Sequence, residues 1–351
     1  MKKLVIAALA IGAMAACTKS NVQFEQPGEI SFQPVAQKAT KAGAVASTTY
    51  PKTSEYDFNV WAWWGDNNAT IDETYSMFTS PYIAAGKFTY RTGNVWGGST
   101  PYYWPTTGSL VFAGYSPAVN DGGTFNYILA EKKFTVTKYK QSSDPETTKD
   151  LMWFDVTSNS YNTRKQDGSA VTQVSVGEGV PVTFKHALSW LSFKLNVANN
   201  DLNKNWTVTS VTLNQIKTIG NCEATKSAAA VAVATWNFVD VIQEEKPMAV
   251  FNGSKEVEYK TEPDVIDNGG VVVIPQACTS VTITFTQKNY VGGSTPSQTI
   301  TLPLNAGTDS DKWLSGKHYI YTIVFSADEI LITPIVAEWV PEIVDDIPVQ
   351  Y

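Results

Sequence analysis

Residues able to do acid–base chemistry are scarce in this sequence. The chain contains two histidines, His186 and His318, and each lies within an alternating apolar pattern typical of a strand. A histidine acts as a general acid or base only when it is positioned within hydrogen-bond reach of a substrate, and no motif surrounds either residue. We interpret both as structural. Nucleophile elbows, phosphate loops and histidine-rich metal motifs are also absent from the sequence.

One acidic turn, GDNNATIDE, has the spacing of a calcium-binding loop. Its oxygen-bearing side chains belong to Asp66, Asn68, Thr70 and Asp72. The sixth position of that spacing is Ile71, where a hand-type calcium loop requires a glycine. We therefore interpret the segment as a hydrogen-bonded turn and predict no metal site and no cofactor. Because no two carboxylates stand out as a glycosidase pair either, we predict that the protein is not an enzyme.

The amino-terminal residues predict an exported lipoprotein. Lys2 and Lys3 precede the apolar run LVIAALAIGAMA, and Cys17 follows two alanines. This pattern is typical of a bacterial secretory signal with a lipidation site, so we expect a signal peptide over residues 1–16 and a lipid on Cys17. The alternative is an ordinary signal peptide cut near AMA. A lipid on Cys17 would anchor the protein to a membrane surface.

The rest of the chain has the composition of a β protein with substantial cores. Its 351 residues suffice for two domains, and 43% of them are hydrophobic while 17% are charged. The 11 Trp, 16 Tyr and 15 Phe are accompanied by many Thr and Val, and such residues favour strands. A net charge of −7, without any stripe of Lys and Arg, argues against a nucleic-acid partner.

Short segments that alternate apolar and polar residues predict antiparallel strands from about residue 55 onward. Examples are FNVWAWW, LSFKLNV, SVTITFT and HYIYTIVF, and turn sequences such as NDGG and DNGG separate them. In WTVTSVTLNQI the alternation changes phase between Val208 and Val211, which predicts a β-bulge near Thr209 and Ser210. We predict an all-β protein built of antiparallel β-sandwiches, with a domain boundary near residues 180–190.

Two lysines lie in a small-residue segment near the amino terminus. The segment VAQKATKAGAVASTT contains Lys38 and Lys41, and exposed loops of this composition are preferred sites of proteolysis. The alternative is a plain linker between the lipid and the globular body. Elsewhere, Cys222 and Cys278 show no spacing that predicts a disulfide framework, so their pairing is left open.

The final residues, PEIVDDIPVQY, alternate like a strand with one buried face. Its apolar residues on odd positions are Ile343, Ile347, Val349 and Tyr351, and only Asp345 breaks the series. Alternation does not identify the partner of a strand. The segment therefore either completes a sheet of its own domain or adds to a sheet of another molecule.

Several segments together resemble a known family. They are the lipidation site at Cys17 and the segments ISFQPVAQKATKAG, YYWPTTGSLVFAGYSP, KDLMW, VPVTFKHALSWLSFKL, VVVIPQ, GKHYIYTIVF and AEW. In this order, over nearly the whole chain, they resemble the fimbrillin-like proteins of Bacteroidales, which are the subunits of type V pili. The resemblance implies two tandem transthyretin-like antiparallel β-sandwich domains, expected over residues 42–185 and 186–341.

The resemblance also implies how such a subunit matures. Residues 17–41 would form a lipidated tether and a removable first strand containing Ile30 and Phe32. A trypsin-like maturation protease would cut after Lys41, or less favourably after Lys38. Residues 342–351 of a neighbouring subunit would then fill the vacated groove as a donor strand with Ile343, Ile347, Val349 and Tyr351 as its inward residues.

A structural pilin of the shaft is therefore the leading interpretation, located at the outer membrane and then in a surface fimbrium that supports adhesion. Its expected partners are the same or homologous subunits, the maturation protease and the outer membrane. The alternatives are a tip adhesin, or a surface lipoprotein that binds glycans and never polymerises. Exposed clustered aromatic residues would favour the glycan-binding alternative.

Overall fold

The computed structural model describes residues 28–36, 50–66, 69, 75–92, 95–119, 122–156, 161–162, 179–198, 205–225, 233–242, 244–266, 270–289, 293–307, 311–326 and 330–338. Within these ranges the regular structure consists of 22 strands and two 3-10 turns, Ser54–Tyr56 and Leu129–Glu131. No helix in the described ranges is long and apolar enough to cross a membrane. The prediction of an all-β fold is confirmed.

The first sheet contains eight strands. In their order across the sheet they are β2 (Phe58–Gly65), β3 (Ser80–Tyr90), β4 (Trp96–Gly98), β1 (Ser31–Ala36), β10 (Val180–His186), β8 (Met152–Phe154), β5 (Ser109–Ser116) and β9 (Tyr161–Asn162). Because β2 also pairs with β5, seven of these strands close into a ring, to which β9 is added. We call this the ring sheet. Its interior is a core rich in phenylalanine.

The second and third sheets face each other across a separate core. The second sheet comprises β16 (Asp264–Val265), β11 (Ser189–Val197), β21 (Lys317–Phe325) and β22 (Ile330–Glu338), with β17 (Val271–Val273) also paired to β11. The third comprises β15 (Glu245–Val257), β12 (Asn205–Lys217), β18 (Ser280–Asn289) and β19 (Gly293–Ser294), with β20 (Gln298–Pro303) paired to β18. Inward residues of both sheets form one cluster, as in a β-sandwich.

The fourth sheet covers the outside of the ring sheet. Its strands are β14 (Ala234–Asn237), β13 (Ile219–Thr225), β7 (Lys133–Lys140) and β6 (Thr124–Ile128). Phe134 of this sheet stacks on Trp153 of β8 at a centroid distance of 5.9 Å. Strand β5 is consequently buried on both faces over its whole length, which explains the unbroken run LVFAGY between its terminal serines.

The strand patterns read from the sequence match the observed faces. Tyr319, Tyr321, Ile323 and Phe325 of β21 all point into the sandwich core. The pairing of β12 with both of its neighbours shifts register between Val208 and Ser210, so the predicted β-bulge is present. Among the described strands, β1 with β10 and β11 with β21 pair in parallel, and the other pairings are antiparallel as predicted.

The connection between the two halves of the chain is short and buried. Only Ala187 and Leu188 separate β10 from β11, and both are fully buried. The fourth sheet joins strands from both sides of this connection, because β7 pairs with β13. The domain boundary at residue 186 stays a prediction.

The two histidines are held in structural contacts. His186 Nδ1 lies 2.6 Å from Asp150 Oδ2, and both side chains are buried. His318 stacks on Trp190, and its Nε2 lies 2.7 Å from Ser192 Oγ. Desolvation lowers the pKa of His318 to about 3, because burial penalises the charged imidazolium.

Both described cysteines are free thiols. Cys222 is completely buried, and burial raises its thiol pKa well above the ordinary value. Such a thiol forms little of the reactive thiolate, so we interpret Cys222 as part of the apolar core.

We expect His318 to reduce the stability of the fold in mild acid. An unfolded chain protonates this histidine below pH ~6.5, whereas the folded chain resists protonation down to about pH 3. Stability is therefore full above pH ~6.5 and falls as the pH decreases between these two values, by about 1–2 kcal/mol at pH 5 for this residue. Urea unfolding at pH 7 and pH 5 should show a smaller loss for His318→Gln than for the wild type. Equal losses would contradict the assignment.

Candidate functional site

The candidate functional site is the position of β1 within the ring sheet. The strand has a partner on each side. It pairs in parallel with β10 from Phe32 to Ala36, and it pairs antiparallel with β4 at Ser31 and Phe32. The backbone of β1 therefore satisfies hydrogen-bonding groups of two neighbouring strands at once. Among the described strands, β1 is what closes the ring between β4 and β10.

The side chains of β1 alternate between the ring interior and the outside. Ile30, which directly precedes the strand, is fully buried, as is Phe32, while Ala36 is 2% exposed. Val35 points outward and is 42% exposed. Ile30 and Phe32, the two residues that sequence reasoning assigned to the removable strand, thus both lie in the ring core.

Phe32 lies at the centre of an aromatic cluster. Its ring meets Phe88 and Phe112 edge-on, at centroid distances of 4.8 and 5.2 Å. Phe58 and Phe154 lie at 5.9 and 6.3 Å from it. Edge-to-face packing of this kind adds about 0.5–1.5 kcal/mol per pair beyond simple burial. The ring core is consequently built around a residue of β1.

A glycine allows β10 to begin beside this strand. Gly179 precedes β10 and has a φ of +75°. A Cβ at this position would lie 2.8 Å from the carbonyl carbon of Phe32, which is too close for any other residue. The start of β10 is thus fitted to the backbone of β1.

An ion pair fixes the beginning of β1. Arg91 Nη1 donates to Glu29 Oε2 at 2.9 Å, and Nη2 lies 2.7 Å from Glu29 Oε1. Nη2 also donates to the carbonyl oxygen of Gly98 at 2.9 Å. The guanidinium lies over Gly97, where a Cβ would be 2.3 Å from Arg91 Nε. Sequence reasoning missed this pair because its members are 62 residues apart.

Buried residues stand on both sides of the predicted cleavage loop. Ala36 ends β1, and the next described residue is Tyr50, which is 1% exposed. The Tyr50 hydroxyl donates to the carbonyl oxygen of Tyr56 at 2.7 Å and lies 2.5 Å from Ser116 Oγ. Burial raises the pKa of Tyr50 well above its ordinary value. The chain is therefore anchored in the core directly after the loop.

The predicted processing residues Lys38 and Lys41 lie outside the described residues, between these two anchors. The predicted lipidation residue and the predicted donor residues also lie outside the described residues; they are Cys17, Ile343, Ile347, Val349 and Tyr351.

The last described strand, β22, forms an edge of the second sheet. Among the described strands it pairs with β21 alone. Leu331 and Ile335 on its outer face are 51% and 58% exposed.

The described part of the chain holds no group of three His, Cys, Asp or Glu side chains that could bind a metal ion.

Comparison with known proteins identifies the relatives of this chain. A sequence model of the fimbrillin-like family matches residues 44–339. No curated protein matches the sequence. Among solved structures, a fimbrial protein from Bacteroides vulgatus is 11% identical, with a TM-score of 0.53 over 88% of this chain and 99% of that one.

Two further solved structures resemble this chain more distantly. A candidate cell adhesion protein from Bacteroides ovatus is 14% identical, with a TM-score of 0.47 over 90% of this chain and 99% of that one. The tip fimbrial protein Mfa3 from Porphyromonas gingivalis is 10% identical, with a TM-score of 0.34 over 89% of this chain and 99% of that one. At such low identities a structural likeness bears on the fold alone. The first of these structures supports the β-sandwich fold of this chain.

We expect Phe32→Ala to destabilise the uncut protein strongly. Removing this ring leaves a cavity between four phenylalanines, and such truncations cost about 3–5 kcal/mol. The matched control is Val35→Ala in the same strand, which should cost less than about 1 kcal/mol because Val35 is 42% exposed. Urea unfolding followed by tryptophan fluorescence measures both. Similar losses for the two variants would show that β1 is not the centre of the ring core.

Proposed function

This chain belongs to the fimbrillin-like family, and we propose that it is a structural subunit of a type V pilus that assembles by exchange of β1. Membership of this family implies a place in a cell-surface fimbrium and a role in adhesion rather than catalysis. The observation that supports strand exchange is the position of β1, whose inward side chains are buried and which lies between β4 and β10, two strands that no other described strand joins directly.

In this proposal the chain is exported as a lipoprotein and anchored to the outer membrane through Cys17. A protease then cuts after Lys41, or after Lys38, in the loop between Ala36 and Tyr50. The position of Tyr50 in the core supports this proposal, because the buried Tyr50 would keep the new amino-terminal segment attached to the ring after the cut. β1 would then be a separate fragment, held by noncovalent contacts alone.

Loss of β1 would create a site with defined chemistry. One side of β4 and one side of β10 would expose unpaired backbone groups, and the pocket of Phe32 would expose phenylalanine rings. Unpaired strand edges of this kind are templates for strand addition. The occupant must be extended and must present an apolar residue at every second position.

The carboxy-terminal segment of a second subunit meets these requirements. Its residues Ile343, Ile347, Val349 and Tyr351 fall on odd positions of the segment, which Asp345 alone interrupts, and they would point into the ring. The contact is heterologous, since the groove of one subunit binds the tail of the next, and it therefore builds an open filament. A subunit that both accepts and donates a strand belongs in the shaft.

A second candidate function is supported by two exposed tyrosines on the ring. Tyr82 and Tyr103 are 38% and 50% exposed, and the Tyr82 hydroxyl donates to the carbonyl oxygen of Tyr103 at 2.7 Å. Exposed aromatic faces can stack on sugar rings. A tip adhesin or a surface lipoprotein that binds glycans and does not polymerise would use such a face.

We expect limited trypsin treatment to convert the exported protein into assembling subunits. The cut should fall after Lys38 or Lys41. Ladders of linked subunits should then grow over the course of an incubation rather than at once, because an incoming strand has to displace β1 from a paired and buried position. Intact mass identifies the cut, and electrophoresis without heating follows the ladders. A Lys38→Gln/Lys41→Gln protein should stay monomeric, while Lys52→Gln, a control in an exposed position, should behave like the wild type.

Deletion of residues 342–351 should abolish the ladders without preventing the cut. If the cut wild type stays monomeric under assembly conditions, strand exchange is contradicted and the glycan-binding lipoprotein becomes the favoured function.

A further inference from the structure

The ion pair between Glu29 and Arg91 joins a residue that the proposed cut removes to a residue that remains. Glu29 directly precedes Ile30, so it leaves with β1. Arg91 follows β3 and stays in the ring. Their side chains are 28% and 44% exposed, so the pair lies at the boundary between the groove and solvent. Strand exchange therefore leaves an arginine at one end of the groove without its carboxylate.

The position of Arg91 does not depend on Glu29 alone. Its Nη2 donates to the carbonyl oxygen of Gly98, and its guanidinium lies close to Gly97. Its backbone amide donates to the carbonyl oxygen of Val95 at 2.8 Å. These contacts belong to residues that remain after the cut. The guanidinium, a rigid fork suited to a carboxylate, is thus held ready for another acidic side chain.

We propose that Arg91 is a specificity-determining residue of the groove, which binds Asp346 of a second copy of this chain in the place that Glu29 vacates. This inference rests on the proposed strand exchange. The ion pair fixes the register and the direction of the incoming strand.

The sequence of the tail supports this register. The two residues before β1 and its first two residues read EISF from Glu29 to Phe32, and the tail reads DIPV from Asp346 to Val349. Both place an acid directly before two apolar residues that are separated by one position. Aligned in this way, Ile347 takes the place of Ile30 and Val349 takes that of Phe32.

Other registers that place an odd-numbered apolar residue in the position of Ile30 lack this match. With Ile343 there, Glu342 would face Arg91, but Asp345 would enter the pocket of Phe32, where burial of a carboxylate is costly. With Val349 there, Tyr351 would fill the pocket of Phe32, but Pro348 would face Arg91.

Reversed strands also fail to supply the acid. In that direction the residue beside Arg91 would be the one that follows the apolar residue, and this is Val344, Pro348 or Gln350 after Ile343, Ile347 or Val349. The direction of β1 is therefore the direction that an ion pair with Arg91 selects.

Charge reversal on both sides of the contact tests the proposal. The base protein is Glu29→Arg/Arg91→Glu, which keeps an ion pair in the uncut form, and its unfolding midpoint should match that of the wild type. After the cut, ladder growth should be at least about tenfold slower than in the wild type, since like charges then face each other. Adding Asp346→Arg should restore the rate to within about threefold, and adding Glu342→Arg should not.

Two controls separate this contact from general effects of charge. Lys133→Gln removes a cation at the start of β7, where Lys133 Nζ lies 2.6 Å from Glu131 Oε2. This variant should leave the rate of ladder growth unchanged. Raising the salt concentration to 0.5 M should narrow the difference in the rate of ladder growth between the wild type and Glu29→Arg/Arg91→Glu, because salt screens exposed charges.

The outcomes distinguish the inference from the function on which it rests. Rapid ladder growth by the cut Glu29→Arg/Arg91→Glu protein overturns the role of Arg91 while leaving strand exchange intact, and it favours the register with Tyr351 in the pocket of Phe32. Rescue by Glu342→Arg instead of Asp346→Arg overturns the assignment of Asp346. Failure of the cut wild type to assemble overturns both proposals.

Discussion

The pairing of β1 with two neighbours at once is the constraint on which the rest of the ring depends. β4 and β10 each have a further partner on their other side, β3 and β8, and only β1 bridges them among the described strands. Buried backbone groups have to be hydrogen-bonded, and the phenylalanines around Phe32 have to be shielded from water. Both needs set the extended shape and the alternation of the strand at this position, while the proposed contact with Arg91 would set its register and direction.

In the proposed strand exchange, the covalent link between β1 and the ring determines which strand occupies this position. A tethered segment has a high effective concentration beside its site, and cutting the tether would remove this advantage without changing a single contact. An incoming strand would then compete with an untethered β1. Burial of Phe32 would slow the departure of the old strand, and the shared alternation would let the new one enter. The packing that stabilises the uncut chain would therefore also protect it from premature exchange.

Local sequence patterns predicted the individual strands well but not their neighbours. The buried face of β21 and the bulge between Val208 and Ser210 follow from alternation, which depends on adjacent residues. The position of β1 between β4 and β10 depends on segments far apart in the chain, and no local period records such pairings. The ion pair of Glu29 with Arg91 was missed for the same reason. A single charge before a strand has many potential partners, and only the folded backbone shows that Gly97 and Gly98 hold the arginine beside it.

The short buried connection between β10 and β11 has a mechanical consequence. Ala187 and Leu188 lie in the core, and the pairing of β7 with β13 adds a second, noncovalent link between the two halves. We expect these two links to oppose hinging between the two halves. In the proposed filament, elastic bending would then be concentrated at the junctions between subunits.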